Sequence, residues 1–239
     1  VPTDSAPPTL EVVAAALDAE LGTAAGRTSM IVSRPGPVRR LGLALDPWPG
    51  IAEWVAAAGL DAVLLHRHWQ WSPAGWPAEA ALLATHDPFD RRYAFGVAPE
   101  LTAALALAPG PSIGERDGWP LGTVGEGAPR SVAELRAALV AAFGAVEEEL
   151  AAESDPPPPV ARVAMARAMT PALVARAAEL GARAYVTGQL RPSAREAARR
   201  AGVHVLAVGH RRGERWALAL LADALRAALP ALDVRCAPT

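Results

Sequence analysis

Five histidines stand in this chain, and four of them, His66, His68, His86 and His210, lie where a metal site could be built. His66 and His68 flank Arg67 and directly follow the apolar run Asp61-Ala62-Val63-Leu64-Leu65. Alternate residues of an extended segment project to one face. The two imidazoles can therefore point together from the C-terminal end of a strand, the edge where open α/β sheets place their ligands. Neutral imidazole is the commonest side-chain ligand for Zn, Fe and similar ions. A pair of surface histidines in a Trp-rich loop, with Trp69 and Trp71, has the same spacing. In His86-Asp87-Pro88-Phe89-Asp90 an imidazole and a carboxylate stand four apart, close enough to meet across one turn or a compact loop. The same residues also suit an Asp-Pro turn with an N-cap. In Gly209-His210-Arg211-Arg212-Gly213-Glu214, His210 comes two residues after a predicted strand and Glu214 four later, where a helix is expected to begin. A glutamate favoured by the helix dipole beside an exposed histidine is the plainer alternative there. Each element alone has such an alternative. Together they point to a divalent-metal site made of His66, His68, His86, Asp90, His210 and Glu214.

The remaining candidates read as structural. His204 alternates with Val203 and Val205 and is expected to be exposed or satisfied within the fold. Cys236 is the single cysteine and reads as an inert thiol. Trp69, Trp71 and Trp76 could form a subunit contact or line the cleft, and packing is the favoured expectation, since aromatic anchors are common at interfaces. Arg211 and Arg212 are expected to be solvated or oligomer-facing, or to meet an anionic substrate.

The elements that would position these groups alternate. The periodicity predicts a helix over Leu10–Leu21, strands over Ser29–Ser33 and Arg40–Leu45, a helix over Ile51–Ala58, a buried strand over Asp61–Leu65 and a helix over Ala78–Ala84. Ala108–Pro129, rich in Gly and Pro, reads as a connection. Ser131-Val132-Ala133-Glu134 resembles a capping box opening a helix to about Phe143. Asp155-Pro156-Pro157-Pro158-Pro159 reads as an extended surface linker. A second αβ block follows, with strands over Val160–Met165, Ala184–Val186 and Val203–Val208. Its helices run over Pro171–Leu180, Pro192–Ala201 and Glu214–Leu229, with Gly181 and Gly202 as stop signals. The pattern implies an α/β fold with mostly parallel sheets covered by helices.

The chain has 239 residues, 51% hydrophobic and 20% charged, which suits a globular fold of one large or two small domains. A net charge of -2 gives no basic excess for a nucleic-acid tract. All 23 basic side chains are Arg, with no Lys and no Asn, which reads as a composition bias of the source. One cysteine rules out an internal disulfide and a thiolate cluster within one chain. No signal-peptide pattern is seen at Val1-Pro2-Thr3-Asp4, and no apolar run reaches bilayer length, so a cytoplasmic protein that does not enter a membrane is expected.

Four stretches carry a family resemblance. They are Leu43-Ala44-Leu45-Asp46-Pro47, Asp61-Ala62-Val63-Leu64-Leu65-His66, Ala84-Thr85-His86-Asp87-Pro88-Phe89-Asp90 and Val208-Gly209-His210-Arg211-Arg212-Gly213-Glu214. With the lesser motifs Leu121–Glu126 and Ala184–Gln189, residues 40–230 resemble the Nif-three-like family (NGG-one-interacting factor three), also known as GTP cyclohydrolase type-two homologues. The resemblance implies two interlinked α/β domains with mixed, mostly parallel sheets, a dinuclear metal centre in the cleft between them and a toroidal homohexamer. The implied division is 1–118 plus 205–239 for the domain carrying the ligands and 119–204 for the other. Carried over by position, His66, His86, Asp90, His210 and Glu214 fall on ligand places. The family's second adjacent histidine is replaced by Arg67, and its following proline by His68. Ala166-Arg167-Ala168-Met169-Thr170-Pro171 replaces a glycine-rich turn, and Ser193 and Gln189 stand where His and Asp are common. An early Trp-Asp-Asn motif is not recognisable near Thr28–Ser33.

The leading expectation is therefore a metal-dependent hydrolase of a nucleotide-like or phosphoester small molecule, with GTP ring opening as the activity the resemblance implies. It would use one or two divalent ions, Zn, Mn, Fe or Ni. The competing expectation is a non-enzymatic, metal-binding ring that contacts protein partners or single-stranded nucleic acid. A third keeps the fold with Arg67 in the metal's place.

Overall fold

The computed structural model describes residues 6–93, 95–152 and 158–238. Residues 153–157, which hold most of the expected linker, lie outside the described residues. The chain forms two compact units, 1–92 with 217–239, and 93–216. The second is inserted in the sequence of the first. The division falls at 92/93 and 216/217, where the resemblance implied 118/119 and 204/205.

The first unit opens with α1 (Leu10–Glu20), whose Thr9 cap accepts from Val12 N at 3.4 Å and whose Leu10, Val13 and Leu17 are buried at helical spacing. At its end the buried Asp18 carboxylate accepts from Gly26 N at 2.7 Å, Thr28 N at 2.8 Å and Thr28 Oγ1 at 2.8 Å. That clasp folds the following loop back and starts β1 (Ser29–Val32). Then come β2 (Arg40–Ala44), α2 (Ile51–Ala58), β3 (Ala62–Leu65), β4 (Ala81–Ala84) and α3 (Asp87–Tyr93).

The second unit holds α4 (Pro99–Ala104), the hairpin β5 (Glu115–Arg116) and β6 (Trp119–Pro120), β7 (Gly122–Arg130), α5 (Val132–Phe143), β8 (Glu148–Leu150), β9 (Val160–Ala166), α6 (Pro171–Glu179), β10 (Ala184–Thr187), α7 (Pro192–Arg200) and β11 (His204–Ala207). α8 (His210–Ala228) begins in this unit, and β12 (Asp233–Cys236) follows it in the first.

In the first unit the sheet order is β1-β4-β3-β2-β12, parallel except for β1 against β4. A parallel sheet buried on both faces needs unbroken apolar strands rather than alternating ones. Ala62–Leu65 and Ala81–Ala84 are accordingly buried at every position. This corrects the helix expected over Ala78–Ala84. Ala and Leu have high helix propensity, but a four-residue apolar run flanked by β1 and β3 gains a ladder on both sides, and tertiary pairing overrides propensity.

In the second unit the order is β7-β9-β10-β11-β8, with β9, β10 and β11 parallel and the two edge strands antiparallel. Alternate strand residues serve two cores. Ala164, Tyr185 and Val205 meet Leu173, Val174, Ala194 and Ala198 of α6 and α7. Val163, Met165, Val186 and Leu206 meet Leu101, Leu135, Leu139 and Phe143 of α4 and α5. The capping box at the start of α5 is present, with Glu134 N donating to Ser131 Oγ at 3.2 Å and Ser131 N to Glu134 Oε2 at 2.7 Å.

The expected connection over Ala108–Pro129 is also corrected, because most of its second half is β7. Gly122 fits there because an added Cβ would meet the Met165 carbonyl oxygen at 2.3 Å. The glycines that made this segment read as a loop are what let it lie close against β9. α8 starts at His210, one turn before the expected Glu214. Among the described residues no helix is long and apolar enough to cross a membrane.

Candidate metal centre

His66 leaves β3 still held in the ladder, its N–H donating to Ala44 O at 3.0 Å. Its side chain is 1% exposed. Nδ1 stands 3.3 Å from the Thr85 carbonyl oxygen. A carbonyl only accepts, so Nδ1 carries the hydrogen and Nε2 is left as the ligand atom. His86 follows β4 and caps α3, its carbonyl accepting from Asp90 N at 3.0 Å. That turn puts Asp90 on the same helix face as His86. His86 Nδ1 stands 2.8 Å from Asp87 Oδ1, again an acceptor, so Nε2 is again the ligand atom. The two rings stack with centroids 4.7 Å apart, and Phe89 packs against His66 at 4.7 Å. α3 is tied to α1 by Arg92 and Glu20, 3.3 Å apart.

Both Nε2 atoms turn to one carboxylate. His66 Nε2 lies 3.4 Å from Asp90 Oδ1, and His86 Nε2 lies 3.7 Å from Asp90 Oδ2. These are longer than ordinary N–H···O hydrogen bonds of about 2.7–3.2 Å. Two donors on one tetrahedral ion, each about 2.0–2.1 Å from it, stand roughly 3.3 Å apart. Ligand atoms of His66, His86 and Asp90 all lie within 4.8 Å of one another, so the three residues can hold a metal ion. An imidazole fixed through its other nitrogen to a carbonyl or carboxylate is the outer support that metal-ligating histidines almost always have.

His68 lies outside this group. Past Leu65 the chain leaves the extended path, and the His68 carbonyl accepts from Trp71 N at 2.9 Å in a turn. Its ring sits 6.5 Å from that of Trp69. Arg67 engages Asp46 with two donors, Nε to Oδ1 at 2.5 Å and Nη2 to Oδ2 at 3.0 Å.

In the second unit His210 and Glu214 form an i,i+4 pair on the first turn of α8, Nε2 to Oε1 at 3.1 Å. Gly209, at φ 96°, turns the chain from β11 into this helix, and an added Cβ would strike the Glu147 carboxylate. Beside it lies a cavity of about 340 Å³, lined among others by Glu147, Glu148, Gln189, His210 and Arg211. The sequence reading passed over Glu147 and Glu148; the acidic run after Gly144 was their signal.

The residues read as structural behave so. His204 is buried, with Nε2 at 2.6 Å from Glu149 Oε1 and Nδ1 accepting from Ala152 N at 3.4 Å. Cys236 is exposed, and partial desolvation of its thiol pushes its pKa above the ordinary range. Trp71 and Trp76 stand edge to face with each other and pack against the core of the first unit, whereas Trp69 is 64% exposed. Thr85 and Asp87, which orient the imidazoles, were missed as orienting groups, although Asp87 is adjacent to His86.

The model of the family Duf34/NIF3 (NGG1p interacting factor 3) matches residues 76–238, which include His86, Asp90, His210 and Glu214 but not His66. No curated protein matches the chain. The structure is similar to that of the protein ybgI, at 23% identity over 96% of this chain and 97% of that one, with a TM-score of 0.71. It is similar to a Bacillus cereus protein related to NIF3, at 12% identity over 98% of each chain and a TM-score of 0.66. It is also similar to a NIF3 superfamily protein from Sphaerobacter thermophilus, at 15% identity, 98% and 99% coverage and a TM-score of 0.58. At these identities the likeness is one of fold.

Proposed function

This chain belongs to the Duf34/NIF3 family, and on that premise we propose that it is a divalent-metal-dependent hydrolase of a nucleotide-like or phosphoester substrate. His66, His86 and Asp90 are its ion ligands, and the resemblance gives His210 and Glu214 ligand places as well. The observation that carries the reading is the direction of two imidazoles: each Nδ1 is engaged by an acceptor and each Nε2 faces an oxygen of Asp90. Two nitrogen lone pairs against a carboxylate repel one another unless positive charge lies among them.

Asp90 supplies the negative charge a divalent ion needs, and the burial of His66 keeps water from its ring. A bound ion contributes Lewis acidity, lowering the pKa of water from 15.7 toward about 7 in favourable sites. Within the second unit, His210 Nε2 and Glu214 Oε1 lie 3.1 Å apart and can share a proton. Mixed imidazole and carboxylate ligands fit Zn, Mn, Fe or Ni, and availability decides among them. The bidentate hold of Asp46 on Arg67 supports one ion per chain, since this guanidinium stands where the family carries a second imidazole.

Hydrolysis of GTP, the substrate the resemblance implies, and of a chromogenic phosphodiester tests the reading. Chelation and His210→Ala are each expected to lower turnover by about 100-fold or more, the scale of a lost acid–base group or ion. Unchanged turnover in either case contradicts it.

A further inference from the structure

We propose that Trp69 is an aromatic platform on which a planar heterocycle of the nucleobase class stacks beside the ion ligands. The proposal rests on the metal reading for its setting, but its test does not.

The loop between β3 and β4 carries three tryptophans with two different fates. Trp71 and Trp76 turn inward, their rings 5.6 Å apart at 83°, and pack against the core of the first unit. Trp76 Nε1 donates to Ala80 O at 2.9 Å, which fastens the far end of the loop. The loop is thus pinned from below. Trp69 turns outward and, at 64%, is the most exposed large apolar side chain among the described residues. A pinned loop that half-buries two indoles and exposes the third forgoes a large burial gain at one position, since a tryptophan offers about 150–250 Å² to be covered.

The exposed ring is also in a particular place. It stands edge-on to His86, centroids 4.8 Å apart, and 6.5 Å from His68. His86 is one of the three ligands assigned above. A ring stacked on Trp69 therefore lies beside the ion, with the imidazole of His68 near its rim. Gln70 and Ser72, the neighbours of the loop's crest, are exposed and polar. That surround suits a flat ring with polar edges better than an acyl chain, which needs a continuous apolar groove. Stacking on one indole tolerates any base, because every base has a π-face.

The test compares guanosine monophosphate with ribose 5-phosphate, which shares its sugar and phosphate and lacks the base. Binding is measured to the full chain by calorimetry, once loaded with Mn²⁺ and once after chelation. The native chain is expected to bind the nucleotide about tenfold or more tightly than the sugar phosphate. Trp69→Ala is expected to bring the two within about twofold, the base preference having gone, with ribose 5-phosphate unaffected. Trp69→Phe is expected to keep most of the preference. A native chain with no base preference, or a preference that survives in Trp69→Ala, overturns the proposal. So does a Trp69→Ala chain that no longer holds the ion, because Trp69 is then a support for His86. Absence of the ion from the native chain defeats the metal reading alone, since the base preference is still read after chelation.

Discussion

Asp87 stands outside the three candidate ligands and still decides how His86 would meet an ion. With its carboxylate 2.8 Å from Nδ1, it fixes the tautomer that leaves Nε2 as a ligand. Removing such an outer partner typically costs 10–100-fold in metal affinity. Asp87→Ala is therefore expected to weaken Zn²⁺ or Mn²⁺ binding by about that much in a chelator competition, and His86→Ala to abolish it. Equal affinity in Asp87→Ala and the native chain would remove the tautomer argument. Imidazole must be neutral to bind, so the affinity is expected to fall as pH is lowered. Although Cys236 is exposed, it is expected to react slowly with thiol reagents at neutral pH, because partial desolvation raises its pKa and thins the thiolate. At this scale His86 and Asp90 were legible, because i,i+4 spacing on a helix leaves little choice of geometry. His68 was placed beside His66 by strand alternation, which holds only while the chain stays extended, and β3 ends at Leu65. Thr85 contributes through its carbonyl, an atom every residue has, so no side-chain pattern could have shown it.

The elements follow from burial more than from propensity. β4 reads Ala-Leu-Leu-Ala, a helical composition, and becomes a strand because β1 and β3 offer it partners on both sides. Leu82 is fully buried there, so Leu82→Ala is expected to cost about 2–5 kcal/mol by urea denaturation. Gly122→Ala places a methyl against the Met165 carbonyl and is expected to cost more than about 1 kcal/mol. A neutral result would mean that β7 does not lie this close to β9. At the start of α5, the Ser131 backbone N–H and then its hydroxyl hold the Glu134 carboxyl below the ordinary carboxylate range. A lowered folded value stabilises above the unfolded value, about pH 4.3 for Glu, and that contribution is lost as pH falls through the lowered value. Ser131→Ala is accordingly expected to destabilise more at pH 6 than at pH 3. The capping box was legible because its four residues are local. β7 was not, since its glycines signal a turn until the neighbouring strand is known. Nor were the short edge strands β8 and β12, which have only three and four residues to show a pattern.

For the molecule, the α/β class was readable from the alternation of strands and helices, and the family from the strand-end histidines and their order along the chain. The family match over residues 76–238 and the folds of ybgI and the NIF3 proteins agree with that reading. The interlinking of the two units was not placed by composition, since the chain passes between them within α3 and α8 and not at a Gly- or Pro-rich break. We propose a homohexamer, as the family resemblance implies, which a solution mass about six times 24.8 kDa would support and a monomeric mass would contradict. On the proposed reading His66, His86 and Asp90 hold a divalent ion. Metal analysis of protein purified without an affinity tag tests it most directly, alongside the His66→Ala, His86→Ala and Asp90→Asn chains. The account predicts about one Zn, Mn, Fe or Ni ion per native chain, the first-row metals such a mixed donor set suits, and a large loss in each variant. A native chain without bound metal, or variants that keep the native content, would contradict it.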